Sequence, residues 1–186
     1  PDIVAKFVEY HKKNGGISRY VKFRYYFEEM KESTYSKKET VVALNRFSSI
    51  VREGLLECKY VSGVLEFLKN AKDKKQPLFV VSGSDENELK EVFLQRGILH
   101  FFKHVYGSPA NKNENTGAVN KFMGSNKKGA FFGDSKSDFF AATKYGLDFV
   151  FVKGLSEWTN GDQRNINEGN LVINDFTDIR LSNNVS

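Results

Sequence analysis

Three short apolar runs constrain this chain more than any other feature. Leu78-Phe79-Val80-Val81, Ala130-Phe131-Phe132 and Phe149-Val150-Phe151-Val152 are each followed by polar, charged or glycine residues. They do not alternate in the manner of a strand with one wet face. Short, continuously apolar runs of this kind read as strands buried on both sides, the mark of a parallel sheet covered by helices. Shorter candidates lie near His104–Gly107 and at Leu171-Val172-Ile173. Between them the periodicity turns helical. Leu89, Val92 and Phe93 fall on one face after Asp85, and a further helix is expected over about 115–123. Asp85 with Glu88 resembles a capping box, and Gly97 fits the C-terminal stop of the same helix. A helix ending at Gly146 separates the runs at 130 and 149. Alternating strands and helices imply βαβ units with right-handed crossovers on both faces of the sheet. Strands over 78–82, 130–134 and 149–152 are therefore expected in parallel within one sheet.

Residues 1–58 follow a different rule. Ile3, Phe7, Tyr10 and Val4, Val8, His11 fall at helical spacing, and Gly15-Gly16 ends that segment. Ser18 can cap an aromatic-rich helix over about 18–31, and a third helix runs from Ser36 through Val41, Leu44 and Phe47 to about Arg52. The expected organisation is a helical unit over 1–58 followed by an α/β core over 59–186. With 186 residues, 40% of them hydrophobic, the chain can bury one sizeable core or a core with a small appendage.

Composition narrows the partners. No stretch approaches the ~20 apolar residues that span a bilayer, so no membrane is expected. The N-terminus runs through Asp2, Lys6 and Glu9 without the apolar core of a signal peptide. The single cysteine, Cys58, has no partner for an internal disulfide, which makes the cytosol the default compartment. Cys58 is expected to pack between the helical unit and the core. The net charge of +5 suits an anionic ligand or nucleic acid, but it equally fits a solvated lysine-rich surface. The lysines are spread through the helices without a recognition-helix or RNA-binding pattern, so no nucleic acid is expected. His11, His100 and His104 show no metal-ligand spacing, and His100 beside Phe101-Phe102 reads as structural. The first residue is Pro1 rather than Met, as in a processed product or a fragment.

In open α/β sheets, ligands bind beyond the carboxyl ends of the strands. Three strand ends here carry polar groups. The first delivers Ser82 and Gly83, the second Ser108-Pro109-Ala110-Asn111-Lys112, and the third Gly133-Asp134-Ser135-Lys136-Ser137-Asp138. This ordered set resembles the haloacid dehalogenase superfamily, in particular its phosphoglycolate-phosphatase-like and β-phosphoglucomutase-like members. The likeness lies in a strand ending in Ser (Ser82), a Ser-Pro-x-x-Lys segment (Lys112) and a Gly-Asp-x-x-x-Asp segment (Gly133 to Asp138). It spans essentially the whole chain, since a helical cap before the second motif belongs to the same arrangement. It implies a Rossmann-like parallel sheet with a helical cap.

The residues suit the chemistry that the likeness implies. Asp134 and Asp138, four apart at a strand-to-helix junction, can present two hard carboxylates to Mg2+, which takes one or two such ligands beside waters or substrate oxygens. Alternatively, Asp134 caps the helix and Asp138 complements its dipole. Lys112 suits a phosphate oxygen and a neighbouring carboxylate. The Ser82 hydroxyl and Gly83 amide can donate to a phosphate. Ser82 is no serine-hydrolase nucleophile, because Gly-x-Ser-x-Gly is absent. Arg19, Lys22 and Arg24, near Tyr20, Tyr25 and Tyr26, either contact an anionic substrate from the cap or form a solvated face.

The resemblance implies a Mg2+-dependent phosphatase of a small phosphorylated metabolite. A phosphomutase uses the same core, and a non-catalytic phosphate-binding or regulatory module is the alternative from another class. In the superfamily the nucleophile is the first Asp of an Asp-x-Asp motif at the end of the first strand. No Asp-x-Asp occurs in this chain, and Asp2 has no apolar strand before it. The expectation is therefore that the nucleophile and its strand lie upstream in the native protein. The first core strand is then missing from this chain, which alone is inactive. On the same ground the strands ending at Ser82 and Asp134 should not be direct neighbours.

Overall fold

A computed structural model describes residues 2–31, 36–124 and 128–179. Residues 32–35 of the expected helical unit, and 180–186 of the expected core, lie outside the described residues.

The helical unit forms as its caps dictate. Asp2 accepts a hydrogen bond from the Val4 amide at the head of α1 (Ile3–Lys13). Ser18 does the same for Tyr20 at the head of α2 (Arg19–Tyr25), which runs on into a π-helical turn, Tyr26–Met30. Ser36 caps α3 (Lys37–Glu57), which continues five residues past the expected Arg52. These helices meet through aromatic rings. Phe7 packs edge-on against Phe23, Phe23 against Phe47, and Tyr10 stacks on Tyr25 with centroids 4.0 Å apart. Edge-to-face and offset arrangements suit the ring quadrupoles.

The α/β part begins with α4 (Val64–Asp73). It continues through β1 (Phe79–Asp85), α5 (Glu86–Gln95), β2 (His104–Ser108), α6 (Lys112–Met123), β3 (Ala130–Gly133) and α7 (Lys136–Lys144). It ends with β4 (Asp148–Val152), α8 (Gly161–Asn167) and β5 (Leu171–Ile173). All strand pairs are parallel. The α/β character read from the apolar runs, and the Rossmann-like arrangement that the resemblance implied, are present. The chain buries Phe139, Ala142, Phe149 and Phe151 as one cluster, against which Phe131, Leu147, Trp158 and Val172 pack.

Three expectations need correction. The strands do not form one sheet. β1 pairs with β2, while β3, β4 and β5 form a separate sheet in that order. The physical reason is that a continuous apolar run reports cover above and below a strand, whereas lateral partners are chosen by backbone hydrogen bonds that the side chains do not encode. As anticipated, the strands ending at Ser82 and Asp134 are not neighbours, and each keeps one unpaired edge among the described residues. The Asp85–Glu88 capping box is only half formed. Asp85 accepts from the Asn87 and Glu88 amides, but the Glu88 side chain turns away to Arg19. Cys58 is exposed rather than packed in an interface. The Arg96 guanidinium reaches its Sγ at 2.9 Å and its carbonyl at 2.7 Å, which ties the end of α3 to α5.

Phe151 is 1% exposed at the centre of the β3–β4–β5 sheet, whereas Phe140 on the outer face of α7 is 54% exposed. Phe151→Ala should lower the unfolding free energy by about 3–5 kcal/mol and Phe140→Ala by no more than about 0.5 kcal/mol. Urea unfolding followed by circular dichroism checks this, and equal losses would contradict the described core.

Candidate active site

A cleft of about 1110 Å³ lies between the helical unit and the carboxyl ends of β1 and β3. Its floor is built by two helix starts. Asn111 and Glu114 form a capping box in which the Asn111 side chain accepts from the Glu114 amide and the Glu114 carboxylate from the Asn111 amide. This box turns the chain into α6 with Lys112 as its first residue, so Lys112 sits at a helix N-terminus rather than on a strand end. The second start is Ser135. Its hydroxyl accepts from the Asp138 amide at 3.4 Å, while Asp138 Oδ2 accepts from the Ser135 amide at 3.1 Å and the Ser135 hydroxyl at 2.6 Å. Ser135, not Asp134, therefore caps α7, and Asp138 closes the box.

Asp138 is the buried hinge of this floor. Its Oδ1 ion-pairs with the Lys112 ammonium, and the two side chains are only 6% and 11% exposed. Its Oδ2 also accepts from the Asp134 amide at 3.3 Å. Glycine is required at 133, because a Cβ there would meet Asp138 Cγ at 2.7 Å. The Gly-Asp-x-x-x-Asp spacing is thus a packing solution: the last carboxylate folds back under the strand end that carries the first.

Asp134 is left facing the cleft. Its side chain is open to solvent at the mouth, yet the surrounding protein thins the water around it. That desolvation, and then the Asp138 carboxylate, raise its pKa above the ordinary aspartate value, with Lys112 opposing. No hydroxyl, amide or ammonium of another described residue donates to its carboxylate. Two neighbouring carboxylates, one of them unengaged and held above its ordinary pKa by burial and the other's charge, suit a divalent cation that also takes waters and phosphate oxygens. Asp134 fits a direct ligand. Asp138, whose oxygens are held by Lys112 and Ser135, fits the position behind it. Among the described residues no group of three or more His, Cys, Asp or Glu could hold a metal by itself, and Mg2+ does not demand one.

Ser82 and Gly83 line the same cleft, and the Ser82 hydroxyl accepts from the Ser84 amide at 3.1 Å. β1 runs on through them to Asp85, with a break in register after Val81. The helical unit reaches this floor through Gly15-Gly16. Gly16 has φ +75°, and a Cβ on it would come within 3 Å of the Lys112 ammonium and the Ser135 hydroxyl. A Cβ on Gly83 would in turn meet the Gly16 and Ile17 backbone.

The three cap cations separate. Arg19 is buried, paired with Glu88 at 2.7 Å, hydrogen-bonded to the Ser48 hydroxyl at 2.8 Å and stacked over Phe47. Its charge is already matched, and it fastens α2 to α3 and α5. Lys22 and Arg19 both line the cleft. Arg24 does not: it is exposed, lies 4.0 Å from Glu28 and borders a separate hollow.

Sequence reasoning missed Ser135, His11, Glu157 and the descent of Gly15-Gly16. Ser135 had a visible signal in its Ser-x-x-Asp spacing to Asp138. Gly15-Gly16 was legible only as a helix stop. His11 and Glu157 carry no local pattern, since they join the cleft through tertiary packing.

A hydroxyl at one strand end, an aspartate pair after another and a lysine heading a helix, gathered beneath a helical cover, fit an α/β fold of the dehalogenase type. The chain belongs to the haloacid dehalogenase-like hydrolase family, whose model matches residues 6–152. Among solved structures it is similar to a predicted phosphoglycolate phosphatase from Haemophilus somnus 129PT, with 21% identity and a TM-score of 0.70 over 90% of this chain and 78% of that one. It is also similar to a candidate phosphatase from Clostridium difficile, with 22% identity and a TM-score of 0.56 over 70% of this chain and 63% of that one. A haloacid dehalogenase-like family hydrolase from Streptococcus pneumoniae shares 20% identity, with a TM-score of 0.50 over 67% of this chain and 61% of that one. At such identities the likeness is one of fold. The chain spans less than two thirds of the Clostridium and Streptococcus chains. No curated protein matches it in sequence.

The Gly16–Gly83 approach makes a specific demand. Gly83→Ala puts a methyl against backbone that cannot rotate away, which should cost roughly 1–3 kcal/mol. Gly16→Ala adds the cost of a left-handed backbone, roughly 1–2 kcal/mol. Thermal unfolding checks both, and wild-type stability in both variants would show that the cap loop does not rest on the floor.

Proposed function

We propose that the intact protein is a Mg2+-dependent phosphatase acting on a small phosphorylated metabolite. The observation that carries this reading is the buried Lys112–Asp138 pair beside an open Asp134 in one cleft. The phosphatase names carried by the Haemophilus and Clostridium relatives support it. The Lys112 ammonium and the Ser82 hydroxyl and Gly83 amide bind the phosphoryl oxygens and offset their charge as it shifts during transfer. Asp134, with Asp138 behind it, holds the metal. When bound, Mg2+ supplies Lewis-acid stabilisation of the phosphate oxygens. The nucleophile on this reading is the first Asp of an Asp-x-Asp segment upstream of these residues, forming an aspartyl-phosphate that water hydrolyses. The edges of β1 and β3 that are unpaired among the described residues support a further strand between them. Of the three cap cations, Lys22 is the substrate contact; Arg19 serves as a clamp. No helix among the described residues is long and apolar enough to cross a membrane, in keeping with a substrate taken from water.

In the full-length protein, phosphatase activity should vanish on chelation and return with Mg2+. Lys112→Ala and Asp134→Asn should each lower kcat by ~10²–10³, while Lys136→Ala, at an exposed residue on the rim, should leave it within about two-fold, as expected for a surface change. Stability should move the other way. A carboxylate whose folded-state pKa is raised costs stability above that pKa, and the cost is relieved as pH falls through it. Metal-free Asp134→Asn should therefore melt higher than the native protein at neutral pH and lose the native protein's gain on mild acidification. Equal turnover in Lys112→Ala and Lys136→Ala, or full Mg2+-dependent activity in Asp134→Asn, would favour a binding module instead.

A further inference from the structure

The groups offered to a phosphate stand on different elements. Ser82 and Gly83 belong to β1, while Lys112 heads α6, which follows β2. A single peptide, that of Gly107 near the end of β2, lies between them. β1 and β2 keep register as far as Val81 and Tyr106, and the register shifts before Asp85 meets Ser108. β1 therefore uses Ser82, Gly83 and Ser84 where β2 has only Gly107, and this bulge carries Ser82 and Gly83 to the cleft. Opposite the bulge, the Gly107 peptide is bonded to side chains. Its N–H donates to Glu86 Oε2 at 3.1 Å, and its carbonyl accepts from Asn115 Nδ2 at 3.0 Å. Glu86 is the first residue of α5, directly after β1. Asn115 lies one turn along α6 from Lys112 and is 5% exposed. Its Nδ2 also donates to the Ala110 carbonyl at 3.3 Å, so one amide group satisfies two carbonyls of the turn between β2 and α6. Glycine is demanded at 107, because a Cβ there would meet the Ser84 carbonyl oxygen and Glu86 Cα at 2.6 Å.

We infer that Asn115 and Glu86, acting through the Gly107 peptide, are positioning residues that set the separation between the Ser82–Gly83 cradle and the Lys112 ammonium, so that one phosphoryl group meets both. This rests on the phosphatase reading, which places the phosphate between those groups. The Asp138 pair ties the Lys112 ammonium to α7, and the Asn111–Glu114 box is local to α6. Neither relates Lys112 to β1. The chain of contacts from Glu86 through Gly107 to Asn115 does. It starts where the β1 bulge ends and finishes in the first turn of α6, on a peptide that glycine keeps flush against the head of α5. A misplacement of about 1 Å between groups that grip one reacting centre can cost ~10²-fold in rate.

Hydrolysis of p-nitrophenyl phosphate by the full-length protein with Mg2+ tests this through double-mutant cycles. Asn115→Ala should lower kcat by about ten-fold or more and leave KM within about three-fold, the pattern of an interaction that matters most in the transition state. In a Lys112→Ala background the same substitution should change kcat by no more than about two-fold, because the group it positions is gone. An asparagine with a merely structural role would cost the same factor in both backgrounds. Glu86 supplies a second cycle that does not depend on a core variant folding, since it is only half-buried. Glu86→Ala removes the acceptor for the Gly107 N–H and should lower kcat by about three-fold or more, the effect of one hydrogen bond. Glu86→Gln keeps an oxygen for that N–H and should recover most of the loss. The Glu86→Ala effect should likewise disappear when Lys112 is absent. Equal losses with and without Lys112, or native kcat in both Asn115→Ala and Glu86→Ala, overturn the positioning role while leaving the phosphatase reading intact. Absence of Mg2+-dependent hydrolysis by the native full-length protein overturns the phosphatase reading and the positioning role with it.

Discussion

The buried ion pair between Lys112 and Asp138 is the interaction on which the site depends. It joins the first turn of α6 to the first turn of α7, two helices that follow strands of different sheets. Breaking such a pair by removing one partner leaves a buried charge uncompensated, at a cost of roughly 3–5 kcal/mol. Its net contribution to stability is smaller, because both groups lose their water. Its main effect is positional. With Oδ1 on Lys112 and Oδ2 on Ser135, the Asp138 carboxylate has one orientation. That orientation requires glycine at 133 and turns Asp134 outward as the exposed acid of the floor.

The cap follows a division of labour among similar residues. Arg19 and Lys22 lie one helical turn apart, and both are buried. Arg19 has a carboxylate, a hydroxyl and an aromatic face around it, so its charge is matched while it joins α2 to α3 and α5. Lys22 has one histidine. The packed rings of Phe7, Phe23, Phe47, Tyr10 and Tyr25 carry the apolar load, and Tyr20 donates to Asp85 at 2.9 Å. The cap is thereby held to the core near the head of α5, and Gly15-Gly16 is lowered onto the floor.

The legible part of this molecule was the part encoded locally. Apolar runs marked β1, β3 and β4 because burial on both faces leaves a continuous imprint, and Ser18, Ser36 and Gly97 marked helix ends because capping is a matter of a few adjacent residues. The polar residues at three strand ends were legible for the same reason, and Ser82, Gly83, Lys112, Asp134 and Asp138 do share one cleft. Sheet partners were not legible, since β1 and β3 look alike in pattern yet pair in different sheets. Nor was the fate of each cation. Arg19, Lys22 and Arg24 share a helix and a chemistry, but only contacts with Glu88, His11 and Glu28, set by tertiary packing or by a chance exposed neighbour, separate clamp, cleft lysine and surface arginine. Asp85 shows the limit from another side: its capping box was a sound local reading, and the distant Arg19 outcompeted the local amide for Glu88.

The most direct test of the account is a crystal structure of the full-length protein with Mg2+ and orthovanadate. The account predicts Mg2+ on an Asp134 oxygen at about 2.0–2.1 Å, with vanadate oxygens on the Lys112 ammonium and the Ser82 hydroxyl, and Asp138 still paired with Lys112. Metal and vanadate bound away from this cleft, with Asp134 and Lys112 untouched by either, would contradict it.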